Sequence, residues 1–208
     1  MLQRRTFFYA GAVLAAALTL TSCAGGSPDA TPSTADASAT AAAFNEADVM
    51  FAQGMLPHHE QAVEMSEDLL DKNGIDEDVR ELATEIKMAQ EPEIAQLNDW
   101  LSQWGTEEQD MSDMSDMSDM SDMIDMDGMD SMGGMMSDDD MAMLEDVSGA
   151  EASKLFLEQM TVHHEGAVDM AKNEIDNGQN ANALAMAASI VNTQTAEITV
   201  MSDLLAAL

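Results

Sequence analysis

Basic side chains are nearly missing: Lys and Arg number 7 against 40 Asp and Glu, a formal net charge of -33. Such a chain offers no footprint for nucleic acid or for an anionic membrane surface, both of which need clustered cations. Cysteine occurs once, at Cys23, which excludes a disulfide framework and every Cys-x-x-Cys redox, zinc or c-haem motif. Aromatics are scarce, with 5 Phe, 2 Trp and 1 Tyr. That poverty argues against a large β-sandwich core, which draws on aromatic and β-branched residues. What the chain does have is methionine, 21 residues in a length of 208 that suits one domain or two small repeated halves.

Residues 1–22 read as an export signal rather than as part of the fold. Arg4 and Arg5 make a positive start, and Phe7 to Leu20 is an apolar run too short to span a bilayer comfortably. The run ends in Leu20-Thr21-Ser22-Cys23, similar to a bacterial lipobox, in which Cys23 becomes the first residue and its sulfur receives a lipid. Arg4-Arg5-Thr6-Phe7-Phe8 also resembles a twin-arginine signal, so both export routes stay open. No later stretch is apolar enough for a transmembrane helix. Residues 23–43, rich in Ser, Thr, Pro, Ala and Gly, read as a flexible tether. The expected location is the outer face of the bacterial cytoplasmic membrane, or the periplasmic side of an outer membrane where one exists, with a lipid anchor.

An internal repeat organises the rest. Phe51-x-x-x-Met55-x-x-His58-His59-Glu60-x-Ala62-Val63-x-Met65 recurs, 105 residues on, as Phe156-x-x-x-Met160-x-x-His163-His164-Glu165-x-Ala167-Val168-x-Met170. These hold all 4 His of the chain. Gln90-x-x-Glu93-Ile94 and Gln194-x-x-Glu197-Ile198 follow, offset by 104. The spacing predicts a duplicated two-helix unit. Helices are expected from about Asp48 to Lys72, from after Asp76 to near Gly105, from a capping box Ser148-x-x-Glu151 to Asn177-Gly178, and from Asn180 onward. Pro57 and Pro92 should kink their helices by removing one hydrogen bond each. Short connections make antiparallel hairpins. The expected fold is all-α: a four-helix bundle of two duplicated helical hairpins, 44–105 and 148–208, with an insert over 106–147.

On a helix, Met55, His58, Ala62 and Met65 share a stripe, and His59 stands beside it. Met160, His163, Ala167 and Met170 repeat the stripe, with His164 beside it. Packed face to face, the stripes would gather imidazoles and thioethers, a soft-to-borderline donor set suited to Cu(I) rather than Mg²⁺, Ca²⁺ or Mn²⁺. The candidate metal ligands are therefore Met55, His58, His59, Met65, Met160, His163, His164 and Met170. A Met stripe is also what ordinary core packing looks like, and Met65 or Met170 would serve equally well there. Glu60 and Glu165 have two readings, as acceptors that orient the imidazoles or as solvated carboxylates. Gln90, Glu93, Gln194 and Glu197 read as polar contacts between helices.

Between the halves, Met111, Met114, Met117, Met120 and Met123 alternate with Ser-Asp pairs, and the pattern loosens through Met126, Met129 and Met132 toward Met143. Residues 111–143 hold 12 of the 21 Met. Gly, Ser and Asp at this density cannot build a packed core, so the insert is expected to be disordered. A solvated spacer explains Asp and Ser but not Met. A methionine at every third position offers interchangeable thioethers for Cu(I) or Ag(I), and Asp supplies a negative field that concentrates cations. Met111, Met114, Met117, Met120, Met123, Met126, Met129 and Met132 are the auxiliary candidates.

The paired Met-x-x-His-His-x-x-Ala-x-x-Met motifs, each followed by Gln-x-x-Glu-Ile, resemble the bacterial domain-of-unknown-function family 305. The resemblance runs from about Phe44 to Leu208, apart from the insert. It implies a ferritin-like helical architecture and exported copper binding, carried onto the eight motif residues named above. A di-iron centre is not implied, because no Glu-x-x-His occurs in the chain. The functional expectation is a membrane-tethered protein that binds Cu(I), or silver, for buffering, resistance or delivery to a copper-handling partner. The alternatives are a metal-free structural or interaction module and a metal- or haem-dependent oxidoreductase, although no nucleophile, base and orienting group stand out as a catalytic set. Oligomeric state stays open.

Overall fold

Each long helix but one begins where a side chain takes up the amides that a helix start leaves unpaired. In a computed structural model, which describes residues 43–106 and 132–208, α1 covers Glu46–Leu70. Asn45 caps it in a reciprocal box: its side chain accepts the Asp48 amide at 3.1 Å, and Asp48 accepts the Asn45 amide at 2.6 Å. That box starts the helix slightly earlier than the sequence pattern suggested. α2 covers Glu77–Trp104, capped by Asp76, and stops at Gly105 in the left-handed conformation at φ 69°. Both helices run as single elements across Pro57 and Pro92.

The second hairpin consists of α4, Gly149–Asn177, and α5, Ala181–Ala207. Asn180 caps α5 through the amides of Asn182 and Ala183. The expected capping box of α4 is not made: Ser148 is the N-cap but its side chain holds no cap hydrogen bond. Gly149 adopts φ 63° and its amide instead donates to the carbonyl of Asn73 at 3.2 Å, tying the start of α4 to the turn after α1.

Residues 132–147, expected to belong to a disordered insert, hold two short helical elements. A 3-10 turn at Met132–Gly134 leads into α3, Asp138–Asp146. Ser137 and Asp140 form a reciprocal capping box, and three Asp in the first turn suit the positive end of the helix dipole. Leu144 is fully buried, with Met136 and Met141 packed on the same cluster. The export signal, Cys23, the tether up to residue 42, Met111 to Met129 and the side chain of Met132 lie outside what the structure describes.

The architecture is all-α. α1 pairs with α2 and α4 with α5, while α1 and α4 lie against each other and carry most of the contact between hairpins. Two apolar clusters form the interior. One takes Met65 and Leu69 of α1, Leu82 and Ile86 of α2, Phe156 and Met160 of α4, and Met201 of α5. The other takes Phe51 and Met55, Leu97 and Trp100, Ala167 and Ala171, and Ala187 and Ile190. The C-terminal half of α1 thus shares a cluster with the N-terminal half of α4, so the two run antiparallel. Among the described residues no helix is long and apolar enough to cross a membrane.

Candidate metal centre

The two apolar clusters leave a gap at the same level on all four long helices, and polar residues fill it. On α1 it holds His58 and His59, on α4 His163 and His164, on α2 Gln90 and Glu93, and on α5 Gln194 and Glu197. The duplicated motif is thus one polar layer across the middle of an apolar bundle. All four His are buried, His58 at 1% exposure and the others at 0%. His58 and His163 meet at the crossing of α1 and α4, with ring centroids 3.7 Å apart and planes tilted by 37°.

The outer two imidazoles are held alike. His59 Nε2 donates to Glu93 Oε2 at 2.8 Å, and His164 Nε2 donates to Glu197 Oε2 at 2.7 Å. Each Glu comes from the partner helix of the same hairpin. In the neutral ring a proton fixed at Nε2 leaves the lone pair on Nδ1, and Nδ1 has no partner in either case. The inner two differ. His58 Nε2 donates to the carbonyl of Gly133 at 2.6 Å, leaving its Nδ1 free, whereas neither nitrogen of His163 has a partner. Five buried imidazole nitrogens are therefore unsatisfied. A buried polar atom left unpaired costs roughly 1–3 kcal/mol, which packing alone gives no reason to accept five times over.

Burial pushes the His58 imidazole down to about 3, assisted by the nearby His59 and His164 and opposed by the Gly133 hydrogen bond. His163 lies well below the ordinary imidazole range, through burial first and repulsion from His58, His164 and His59 second. Both rings are neutral near pH 7, the form in which imidazole donates to a metal.

Antiparallel crossing puts one thioether pair on each side of the layer. Met55 lies in one apolar cluster with Met170 packed against it, and Met65 and Met160 lie together in the other. Met55, Met65 and Met160 are fully buried and Met170 partly so. Glu60 and Glu165 are exposed and bond none of the rings; of their two readings, the solvated one holds. The residues that orient imidazoles are Glu93 and Glu197, read from the sequence only as contacts between helices. Their repeat at matching offsets after each His pair was the available signal. Among the described residues no three His, Cys, Asp or Glu side chains converge as a ready cation cage. The donor set on offer is instead imidazole with thioether, which suits a soft monovalent ion.

The family model for a domain of unknown function, DUF305, matches residues 48–205. A DUF305 protein from Streptomyces coelicolor shares 35% identity, with a TM-score of 0.64, over 77% of this chain and 92% of its own. A DUF305 fragment from Deinococcus radiodurans shares 29%, also at 0.64, over 79% and 98%. CopM in its Cu(I)-bound form shares 26%, at 0.57, over 75% and 93%. CopM is also known in Cu(II)-bound and silver-bound forms. Among curated proteins nothing matches the chain.

Proposed function

The chain belongs to the DUF305 family, and from that premise we propose that it is an exported copper-binding protein whose buried histidine layer takes up Cu(I), with Ag(I) as a close substitute. One observation carries the reading: both copies of the motif deliver buried, partnerless imidazole nitrogens to one level of the bundle, with thioethers directly above and below. CopM's copper- and silver-bound forms, at 26% identity, support the same ion class.

In this proposal the Nδ1 atoms of His58, His59 and His164 and a nitrogen of His163 are the first donors. Met55, Met65, Met160 and Met170 complete the coordination. Neutral imidazoles and thioethers need lose no proton, so the ion enters without a charged ligand in the core. Glu93 and Glu197 keep the outer rings in the ligating tautomer. Each of Met111, Met114, Met117, Met120, Met123, Met126, Met129 and Met132 adds a weaker thioether, which raises capacity. Arg4-Arg5, the apolar run and Cys23 support export with a lipid anchor, which keeps the metal-binding domain at the membrane.

Met65 and Met160 also favour a second reading, because they pack with Leu82, Ile86 and Phe156 as ordinary core residues would. Leucine at both positions separates the two: unchanged affinity makes them core, and a clear loss makes them ligands. The main test is an anaerobic Cu(I) titration of residues 23–208 against a competing chelator. Tight binding should vanish in His58→Ala with His163→Ala. It should weaken by about tenfold to a hundredfold in either Glu93→Gln or Glu197→Gln, and lose only stoichiometry when residues 107–131 are deleted. Binding lost with the deletion alone moves the function to the insert. No competitive binding in any form overturns the copper reading.

A further inference from the structure

Of the partners that bond the four imidazoles, Gly133 alone lies outside the long helices. It belongs to a short strap, Met132–Gly134, that lies on α4 and reaches His58 of α1. Its carbonyl accepts from His58 Nε2 at 2.6 Å. It faces the layer at close range: a Cβ there would stand in ordinary contact, 3.4 Å from Met170 Sδ and 3.9 Å from His58 Cδ2. Gly133 therefore bonds an imidazole of the layer and lies near one of its thioethers, from outside the helix pairs.

The strap fits α4 backbone to backbone. A Cβ on Gly166 would overlap the Gly133 carbonyl, and a Cβ on Gly134 would overlap the Val162 carbonyl. Gly133 and Gly134 take φ of 83° and 77°, a left-handed turn that glycine adopts without strain. Beyond this fit, the polar hold on the residues just after the strap is Gln61, whose Nε2 donates to the Met136 carbonyl at 2.8 Å and whose Oε1 accepts the Met136 amide at 2.7 Å, while Met136 also packs on an apolar cluster. The other walls of the layer are helices locked by two apolar clusters. A short segment held by few bonds opens at far lower cost than such helices separate.

We propose that the Met132–Gly134 strap is the removable cover of the histidine layer: closed, it positions His58 with Nδ1 facing inward, and it must lift for an ion to reach or leave the rings. The part concerning the ion rests on the copper reading above; the cover itself is tested without metal. Gly166→Ala should displace the strap while altering none of the His or Met side chains. Gln61→Ala should loosen only that polar hold.

The metal-free protein and both variants would be treated with diethyl pyrocarbonate, which modifies accessible imidazole, and the modified sites mapped by mass spectrometry. His58 should react several times faster in Gly166→Ala and by a smaller factor in Gln61→Ala, with His59 and His164, which Glu93 and Glu197 hold, unchanged. Cu(I) transfer from the loaded protein to a chelator should quicken in the same order, by about tenfold to a hundredfold in Gly166→Ala. Equal His58 reactivity in all three proteins overturns the cover. So does a uniform rise at all four His, which reports general loosening. Should Gly166→Ala fail to fold by circular dichroism, Gln61→Ala decides alone. A wild-type protein that takes up no Cu(I) defeats the copper reading, while the His58 labelling still decides the strap.

Discussion

The two ends of the bundle do the same job with different chemistry. At one end Asp48, in the first turn of α1, accepts the amides of Gln179 at 3.0 Å and Asn180 at 2.8 Å, fastening the turn between α4 and α5. At the other, Ser153, in the second turn of α4 and 105 residues later, has its hydroxyl accept the Asp76 amide at 3.0 Å, fastening the turn between α1 and α2. Beside Asp48 lies Glu174, 1% exposed; the residue that matches Glu174 in the first copy, 105 positions earlier, is Leu69, fully buried. The duplication has kept a geometric role while exchanging a hydroxyl and a methyl-rich side chain for two carboxyl groups. Neither carboxyl oxygen of Glu174 has a hydrogen-bond donor to stabilise its charge, which favours the protonated form beside Asp48. Burial, then the hydrogen bond and charge of Asp48, push Glu174 up to about 8. For Asp48 burial acts upward, but the Asn180, Asn45 and Gln179 amides and Glu174 hold it below the ordinary carboxylate range. The Asp48 end thus holds a buried carboxyl pair where the Ser153 end holds a hydroxyl and an apolar side chain.

The largest expected effect breaks that asymmetry at its source. Asp48→Ala strands at least two amides and should cost about 3 kcal/mol in chemical denaturation, against about 1 kcal/mol for Ser153→Ala. Equal losses would mean that the charge contributes nothing. Next comes Glu174→Leu, which copies Leu69. Folding raises the Glu174 pKa from 4.5 to about 8, so the folded state binds more protons between those values. Stability from this group is complete below the lower value and is lost as pH rises through the upper one. The wild-type thermal midpoint should therefore fall as pH rises from about 6.5 to 8, and the variant should lack that slope. His58 and His163 act in the opposite sense at lower pH, since their folded pKa values are depressed. Their contribution is complete above about 6.5 and is lost as pH falls toward the folded values. The smallest effect concerns the caps. Asn180→Ala, which removes two side-chain acceptances, should cost about 1 kcal/mol. Ser148→Ala, whose hydroxyl caps nothing, should stay within about 0.5 kcal/mol.

Much of this fold was legible in the chain. Asp76, Gly105 and Asn180 announced their helix ends because capping is a local event between residues at most four apart. Asn45 was missed as a cap because its box needed Asp48, which read as the start of the helix itself. Ser148-x-x-Glu151 misled for the complementary reason: the contact of Gly149 with Asn73, far away in sequence, decided the geometry of that helix start. The candidate ligands were legible as stripes, since helical spacing fixes which side chains share a face. The role of Glu93 and Glu197 was not, because it depends on how α2 sits on α1 and α5 on α4.

By itself the sequence determined that two like hairpins would form and that each would carry its His pair, its flanking Met and its Glu at matching positions. Periodicity and capping are short-range properties, and a duplication copies them whole. Only the tertiary structure decided that α1 and α4 cross antiparallel at the His pairs, so that Met55 shares a cluster with Met170 and Met65 with Met160. It also decided that Gly133 lands on His58 and leaves His163 without a partner. These outcomes join residues 75 or more apart, and they follow from which apolar faces bury each other best and from how closely backbones approach at Gly134 and Gly166.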